Sequence, residues 1–244
     1  MKVENFLTKN DNFILLTGNL TKYIMKNNRD KNVLIDLINN LISFIGDDKT
    51  LAIQTFNWDF CYGKTYDILN SKSQTGILGN FALKNSNFKR TKHPIYSFAV
   101  AGKYKEKLVN INNKGAFDNN SVFNFMYKNN GVMIIFDLPL QDSFTFVHFV
   151  EENLKVDYRY NKSFKSTYID ENGISDIREY SMYVRKDCVI TDINSLENIF
   201  VKNEIMDIIN YDGIIIKKID LKRAYELIAM DIIENNGNNL HRIN

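Results

Sequence analysis

The sequence predicts an α/β fold. A mixed central sheet carries helices on both faces, an α/β/α sandwich, and an antiparallel hairpin is inserted at about 155–190. Three observations predict it. Short apolar runs alternate with helical spacing through the first half. "VMIIFDL" (132–138) is apolar almost throughout, as a strand covered on both faces must be. Beyond residue 155 the pattern turns aromatic and β-branched with polar residues interleaved, which suits a partly solvated hairpin. With no Gly/Ser/Pro-rich linker and only Pro94 and Pro139, residues 1–244 read as a single domain.

The elements follow in order. "NFILLT" (12–17) reads as a buried strand. "NVLIDLINNLISFIG" (32–46) places Leu34, Leu37, Ile38, Leu41, Ile42 and Ile45 on one helical face and stops at Gly46. "TLAIQTF" (50–56) is a strand, "GILGNFALKN" (76–85) a short helix weakened by Gly79, and "YSFAVAG" (96–102) a strand. "SVFNFMYKNNG" (121–131) has a capping residue, Ser121, and a terminal Gly131. Two strands flank a turn at Glu171–Gly173. "YDGIIIKKI" (211–219) is a strand, and "DLKRAYELIAMDIIENNG" (220–237) a helix capped by Asp220.

Composition excludes several classes of function. With 31 basic and 29 acidic residues the net charge is +2, so neither nucleic acid nor a membrane surface is implied as a partner. No apolar run is long enough for a bilayer. The opening "MKVENFLTKNDNFILL" lacks a basic segment, apolar run and cleavage site in succession, so a cytoplasmic protein is expected, with Cys61 and Cys188 reduced. There is no GxGxxG, P-loop or GxSxG fingerprint. Three histidines and two distant cysteines do not make a zinc site, so no metal is expected.

Three stretches could carry chemistry. In "LPLQDSFTFVHFVEE" (138–152), Asp142 or Ser143 could cap a helix starting near Phe144, which sets His148 and Glu151 at i and i+3 on one face. Burial among phenylalanines and the helix N-terminus lower an imidazole's pKa, while a carboxylate raises it. A neutral imidazole so placed suits a general base; equally, it suits a packed, hydrogen-bonded core histidine. In "FKRTKHPIYSFAVAGK" (88–103), Pro94 turns the chain into a strand. Arg90, with Lys89 and Lys92, offers either a bidentate grip on phosphate or a solvated basic loop. "TFNWDFCYGKTYD" (55–67) sets Asn57, Asp59 and Asp67 beside the only Trp. It reads as a ligand pocket or as a surface loop over a buried Trp58.

In that order these stretches resemble the aminoglycoside 3-N-acetyltransferases and their relatives. The family element R-S-x-H-P-x-x-S followed by a glycine appears as Arg90-Thr91-Lys92-His93-Pro94-Ile95-Tyr96-Ser97 and Gly102, with Thr91 in place of serine. T-x-x-H-x-x-E is complete as Thr145, His148 and Glu151. "IGDDKTLAIQTF" resembles G-x-x-G-T-L-x-x-P-T-F, with Gln54 in place of the proline. F-G-x-x-S-P becomes Phe117-Asp118-Asn119-Asn120-Ser121-Val122, and the early V-H-x-S-L becomes Leu16-Thr17-Gly18-Asn19-Leu20.

The resemblance implies transfer of an acetyl or short acyl group from acyl-CoA to a primary amine in a ternary complex, without metal. It implies His148 as base and Glu151 as its orienting partner. Arg90, Ser97, Thr145, Thr17, Asn19 and Ser121 would meet the coenzyme; Asn57, Asp59 and His93 would line the acceptor pocket. "TFNWDFC", "FKRTKHPIYSF" and "YSMYVRK" resemble a subgroup acting in surface-polysaccharide assembly, whose acceptors are nucleotide-linked amino sugars. The alternatives are a true aminoglycoside acetyltransferase or a non-catalytic binder of coenzyme or glycan. A homodimer is compatible with this reading.

Overall fold

A computed structural model describes residues 1–243. In chain order the strands and helices are β1 (Phe13–Gly18), α1 (Thr21–Lys26), α2 (Asn32–Ile45), β2 (Thr50–Gln54), β3 (Tyr66–Asp67), α3 (Ile77–Ala82), β4 (Lys89–Arg90) and β5 (Phe98–Gly102). Then come α4 (Lys105–Val109), α5 (Val122–Lys128), β6 (Val132–Phe136), α6 (Phe146–Asn153), β7 (Arg159–Ile169) and β8 (Ser175–Arg185). The chain closes with β9 (Val189–Thr191), α7 (Asn194–Lys202), β10 (Met206–Tyr211), β11 (Ile214–Asp220), α8 (Leu221–Asn235) and β12 (His241–Ile243).

Seven strands form the main sheet in the order β10-β11-β6-β1-β2-β5-β4. β6, β1 and β2 run parallel, with Phe13 opposite Thr50 and Ile14 opposite Val132. The outer strands pair antiparallel, so the sheet is mixed as expected. Side-chain alternation divides β1 between two cores. Phe13 and Leu15 face the layer that includes α5, α6 and α8, whereas Ile14 and Leu16 face α2 and α3. On α2, Leu34, Leu37, Ile38, Leu41 and Ile45 are buried at the predicted spacing. Their burial contributes on the order of 10 kcal/mol, an upper figure. Gly46 then takes φ +49 and its N–H closes the last turn on Ile42 O.

The long hairpin β7–β8 pairs Arg159 with Arg185 and Ile169 with Ser175, around the expected turn. Most of its residues are half-buried or exposed. It also recruits β3 into a three-stranded sheet over a third core of Phe60, Tyr66, Tyr168 and Tyr180, a pairing the sequence does not announce.

Three expectations are corrected. The strand expected at 211–219 begins only at Ile214 as β11; Tyr211 ends a separate strand, β10, and Asp212–Gly213, both at positive φ, make the tight hairpin turn between the two. The helix carrying His148 starts at Phe146, after a 3-10 turn at Leu140–Asp142. Ser143 Oγ donates to Pro139 O, and the helix start at Thr145 has no side-chain cap, so neither Asp142 nor Ser143 caps α6. Trp58 is exposed at 36% rather than buried, because residues 58–62 form a 3-10 turn on the surface.

Candidate active site

α6 reads FVHFVEEN. Phe146, Val147, Phe149 and Val150 enter the core and fix the helix rotationally. That rotation leaves His148 20% exposed and sends Glu151, one turn on, to full burial. His148 Nδ1 and Glu151 Oε2 lie 2.7 Å apart. The carboxylate accepts, so Nδ1 carries the proton and Nε2 is left as the lone-pair nitrogen. Nε2 has no protein partner among the described residues and is not sealed from solvent. The Phe117 ring packs edge-on against the imidazole at 6.0 Å.

A buried carboxylate needs compensation. Arg159, the first residue of β7, supplies it: its Nε lies 2.7 Å from Glu151 Oε2. Arg159 is itself held by Tyr183 O and Thr191 Oγ1. Burial pushes the Glu151 pKa up, but the His148 hydrogen bond and the Arg159 charge outweigh it and hold the carboxyl below its usual range. Burial, aided by Arg159, also lowers the His148 pKa against the opposing pull of Glu151. The triad is therefore a neutral imidazole on an ionised carboxylate, buttressed by a guanidinium. Sequence reasoning missed Arg159. It sits in "YRY", where neither spacing nor motif distinguishes it, and only the hairpin brings it under α6.

Thr17, Gly18, Asn19, Gln54, Trp58 and Leu138 line part of a cleft of about 590 Å³. It opens at the carboxyl ends of parallel strands β1, β2 and β6, where α/β sheets place ligands. A row of aromatic rings links the cleft to the base. Trp58 packs on Phe56 at 6.2 Å, Phe56 on Tyr96 at 4.8 Å, Tyr96 on Phe117 at 4.9 Å, and Phe117 meets His148. Gly18 makes the cleft's floor possible. Its φ is +141°, and a Cβ there would meet Phe136 N at 2.4 Å.

The expected site residues divide on inspection. His148 and Glu151 are together as expected. Thr17 and Asn19 line the cleft. Thr145 is half-buried at the start of α6, and its carbonyl accepts from His148 N. Arg90 is a correction. It is 6% exposed and turned inward, donating from Nε to Ser97 Oγ, from Nη1 to Ser71 O and from Nη2 to Thr55 O. It staples β4 to the loops beyond β2 instead of facing phosphate. Ser97 is fully buried in the same knot, donating to Thr55 O, and has no surface for a pantetheine arm.

Ser121 is also corrected: it is buried and accepts from Asn124 N as the cap of α5. Asn57 is spent on the 3-10 turn, accepting from Asp59 N and donating to Lys72 O. Asp59 pairs with Lys64 at 3.0 Å at the surface, and that hydrogen bond lowers its pKa. His93 is 3% exposed; its Nδ1 accepts from Tyr96 N, and burial pushes its pKa down to about 4. Cys61 and Cys188 are both free. Among the described residues no group of His, Cys, Asp and Glu could hold a metal, and no helix is long and apolar enough to cross a membrane.

The chain was compared with known families, curated proteins and solved structures. No curated protein matches the chain. Aminoglycoside acetyltransferase AAC(3)-IIb superposes with a TM-score of 0.77 at 13% identity, covering 94% of each chain. AAC-IIIb, solved as a binary complex with CoASH, gives a TM-score of 0.76 at 13% identity, covering 93% of this chain and 91% of its own. The YokD protein from Bacillus subtilis gives 0.73 at 16% identity, covering 94% and 89%. At such identities these likenesses establish a shared fold. The sequence model of the aminoglycoside 3-N-acetyltransferases matches residues 33–229, most of the chain and all of the triad, and the protein therefore belongs to the aminoglycoside 3-N-acetyltransferase family.

Proposed function

We propose that the protein transfers an acetyl group from acetyl-CoA to a primary amine of an amino sugar or aminoglycoside. The observation that carries this reading is the His148–Glu151 pair, 2.7 Å apart, with Nε2 left unpaired. The amine nitrogen forms a bond to the thioester carbonyl carbon, the C–S bond breaks, and the product is an amide and a free coenzyme thiol. His148 Nε2 takes the proton that the amine loses on attack. Glu151 holds the imidazole in the tautomer that leaves Nε2 open and stabilises the imidazolium that forms. Arg159 keeps Glu151 ionised. The Phe117 ring packs edge-on against the base and covers one side of it. Thr17 and Asn19 line the cleft that would take the coenzyme.

The family favours an aminoglycoside-like acceptor. A nucleotide-linked amino sugar is the second reading, and one observation favours it. The chain has 31 basic against 29 acidic residues, with no acidic surplus for a polycation. One assay addresses both. Purified protein, acetyl-CoA and a panel of aminoglycosides and nucleotide-linked amino sugars are incubated and free thiol is measured. Turnover with at least one amine, lowered ~10²–10⁴-fold by His148→Ala at saturation, is expected. Full turnover in that variant contradicts the assignment of the base.

A further inference from the structure

Gln54 ends β2 beside Thr17 on the neighbouring parallel strand. Both are buried, at 3% and 5% exposure. Thr17 Oγ1 donates to Gln54 Oε1 at 2.8 Å, which fixes the amide plane and directs its NH2 away from Thr17. That nitrogen, Nε2, is shielded from solvent and has no hydrogen-bond partner in the protein. A buried amide donor left unpaired is unfavourable unless a ligand satisfies it. Gln54 is one of the residues that line the 590 Å³ cleft. Where the family pattern has a proline, which offers no side-chain donor, this chain supplies one.

The rest of the cleft identifies the class of oxygen the donor awaits. Its walls include Leu20, Ile24, Trp58 and Leu138, and its charged residues are Lys31 and Asp142. A cationic sugar finds little to hold it there. An uncharged, amide-bearing chain running to a phosphate fits better: apolar walls take its methylenes, Lys31 suits the phosphate end, and the Gln54 NH2 meets an amide carbonyl. We infer that Gln54 is a coenzyme-positioning residue, its amide donating to a carbonyl oxygen of the pantetheine arm while Thr17 holds it in orientation. The inference rests on the acetyl-CoA reading above.

The test is calorimetric titration with CoA of the wild type and of Gln54→Met, which keeps the chain length and removes the donor. A loss of about 10-fold or more in CoA affinity is expected, given the cost of leaving the ligand carbonyl unpaired. Gln54→Glu, which sets a carboxylate against that carbonyl, should lose more. Adenosine 3′,5′-bisphosphate, which has the coenzyme's phosphates but no arm, should compete equally well against CoA after each variant's CoA affinity is allowed for. Equal CoA affinity in wild type and Gln54→Met overturns the role of Gln54 alone. A parallel loss of affinity for the arm-less nucleotide overturns it too, since it marks a distorted cleft. Failure of the wild type to bind CoA overturns the coenzyme reading itself. Should Gln54→Met not fold, Thr17→Val, which frees the amide from its anchor, must weaken CoA binding several-fold, and unchanged binding rejects the inference.

Discussion

His148 is defined by two neighbours that pull in opposite directions. Glu151 raises its pKa; burial and Arg159 lower it, and the balance lies below the ordinary value. Removing either neighbour should therefore move the titration with a known sign. Glu151→Gln deletes the carboxylate, so the His148 pKa should fall further, and kcat should drop by about 10²-fold as the imidazolium loses its stabilising partner. Arg159→Gln deletes the positive charge, so the His148 pKa should rise. It also strips a buried carboxylate of its guanidinium, and about 3–5 kcal/mol of stability should go with it in urea unfolding. At this scale the sequence was half legible. The i, i+3 spacing of His148 and Glu151 fixes their common face whatever the tertiary setting. Arg90 was misread because a basic residue near a His-Pro gives no sign of whether its guanidinium turns outward to an anion or inward to carbonyls. Arg159 was invisible because its role depends on a contact between elements.

At the scale of elements, local chemistry predicts well where hydrogen bonds are local. Asp220 was expected to cap α8 and does so, accepting from Lys222 N and Arg223 N. Asp220→Ala should cost about 1 kcal/mol in thermal or urea unfolding and leave turnover unchanged. Gly18 is a stricter case. Its φ of +141° and the approach of Phe136 leave no room for a Cβ. Gly18→Ala should therefore displace β1 from β6 at the cleft, lowering stability by several kcal/mol and weakening ligand binding together, measurable by unfolding and calorimetry. What local chemistry missed was non-local. The β3–β7 pairing joins residues a hundred positions apart. The start of α6 was misplaced because two capping residues stand within a 3-10 turn that uses them otherwise. The β10–β11 turn was the exception: Asp212-Gly213 is a local hairpin signal, and it lay inside a run read as one strand.

For the whole molecule, His93 and His148 give stability one sign of pH dependence. His93 is neutral in the fold with a pKa pushed down to about 4, against about 6.5 in the unfolded chain. Between those values the unfolded state binds the extra proton, so stability is full above pH 6.5 and is lost as pH falls toward 4. From His93 the loss is about 3 kcal/mol. His148 adds to it in the same direction, and Glu151, lowered from its usual value, adds its own loss below pH 4.5. Urea midpoints should accordingly fall from pH 7 to pH 4.5, and His93→Gln should flatten that slope.

The architecture itself was legible from alternating elements and a late change of period, since burial on two faces demands that pattern of any such sheet. The proposed reaction needs one imidazole held neutral, its Nδ1–H donated to Glu151 and its Nε2 free to take a proton from the amine. With only three histidines, 15N NMR of the imidazole rings across a pH titration reads this directly. His148 should show the Nδ1–H tautomer and a pKa below 6.5. An Nε2–H tautomer, or a pKa at or above 6.5, would contradict it.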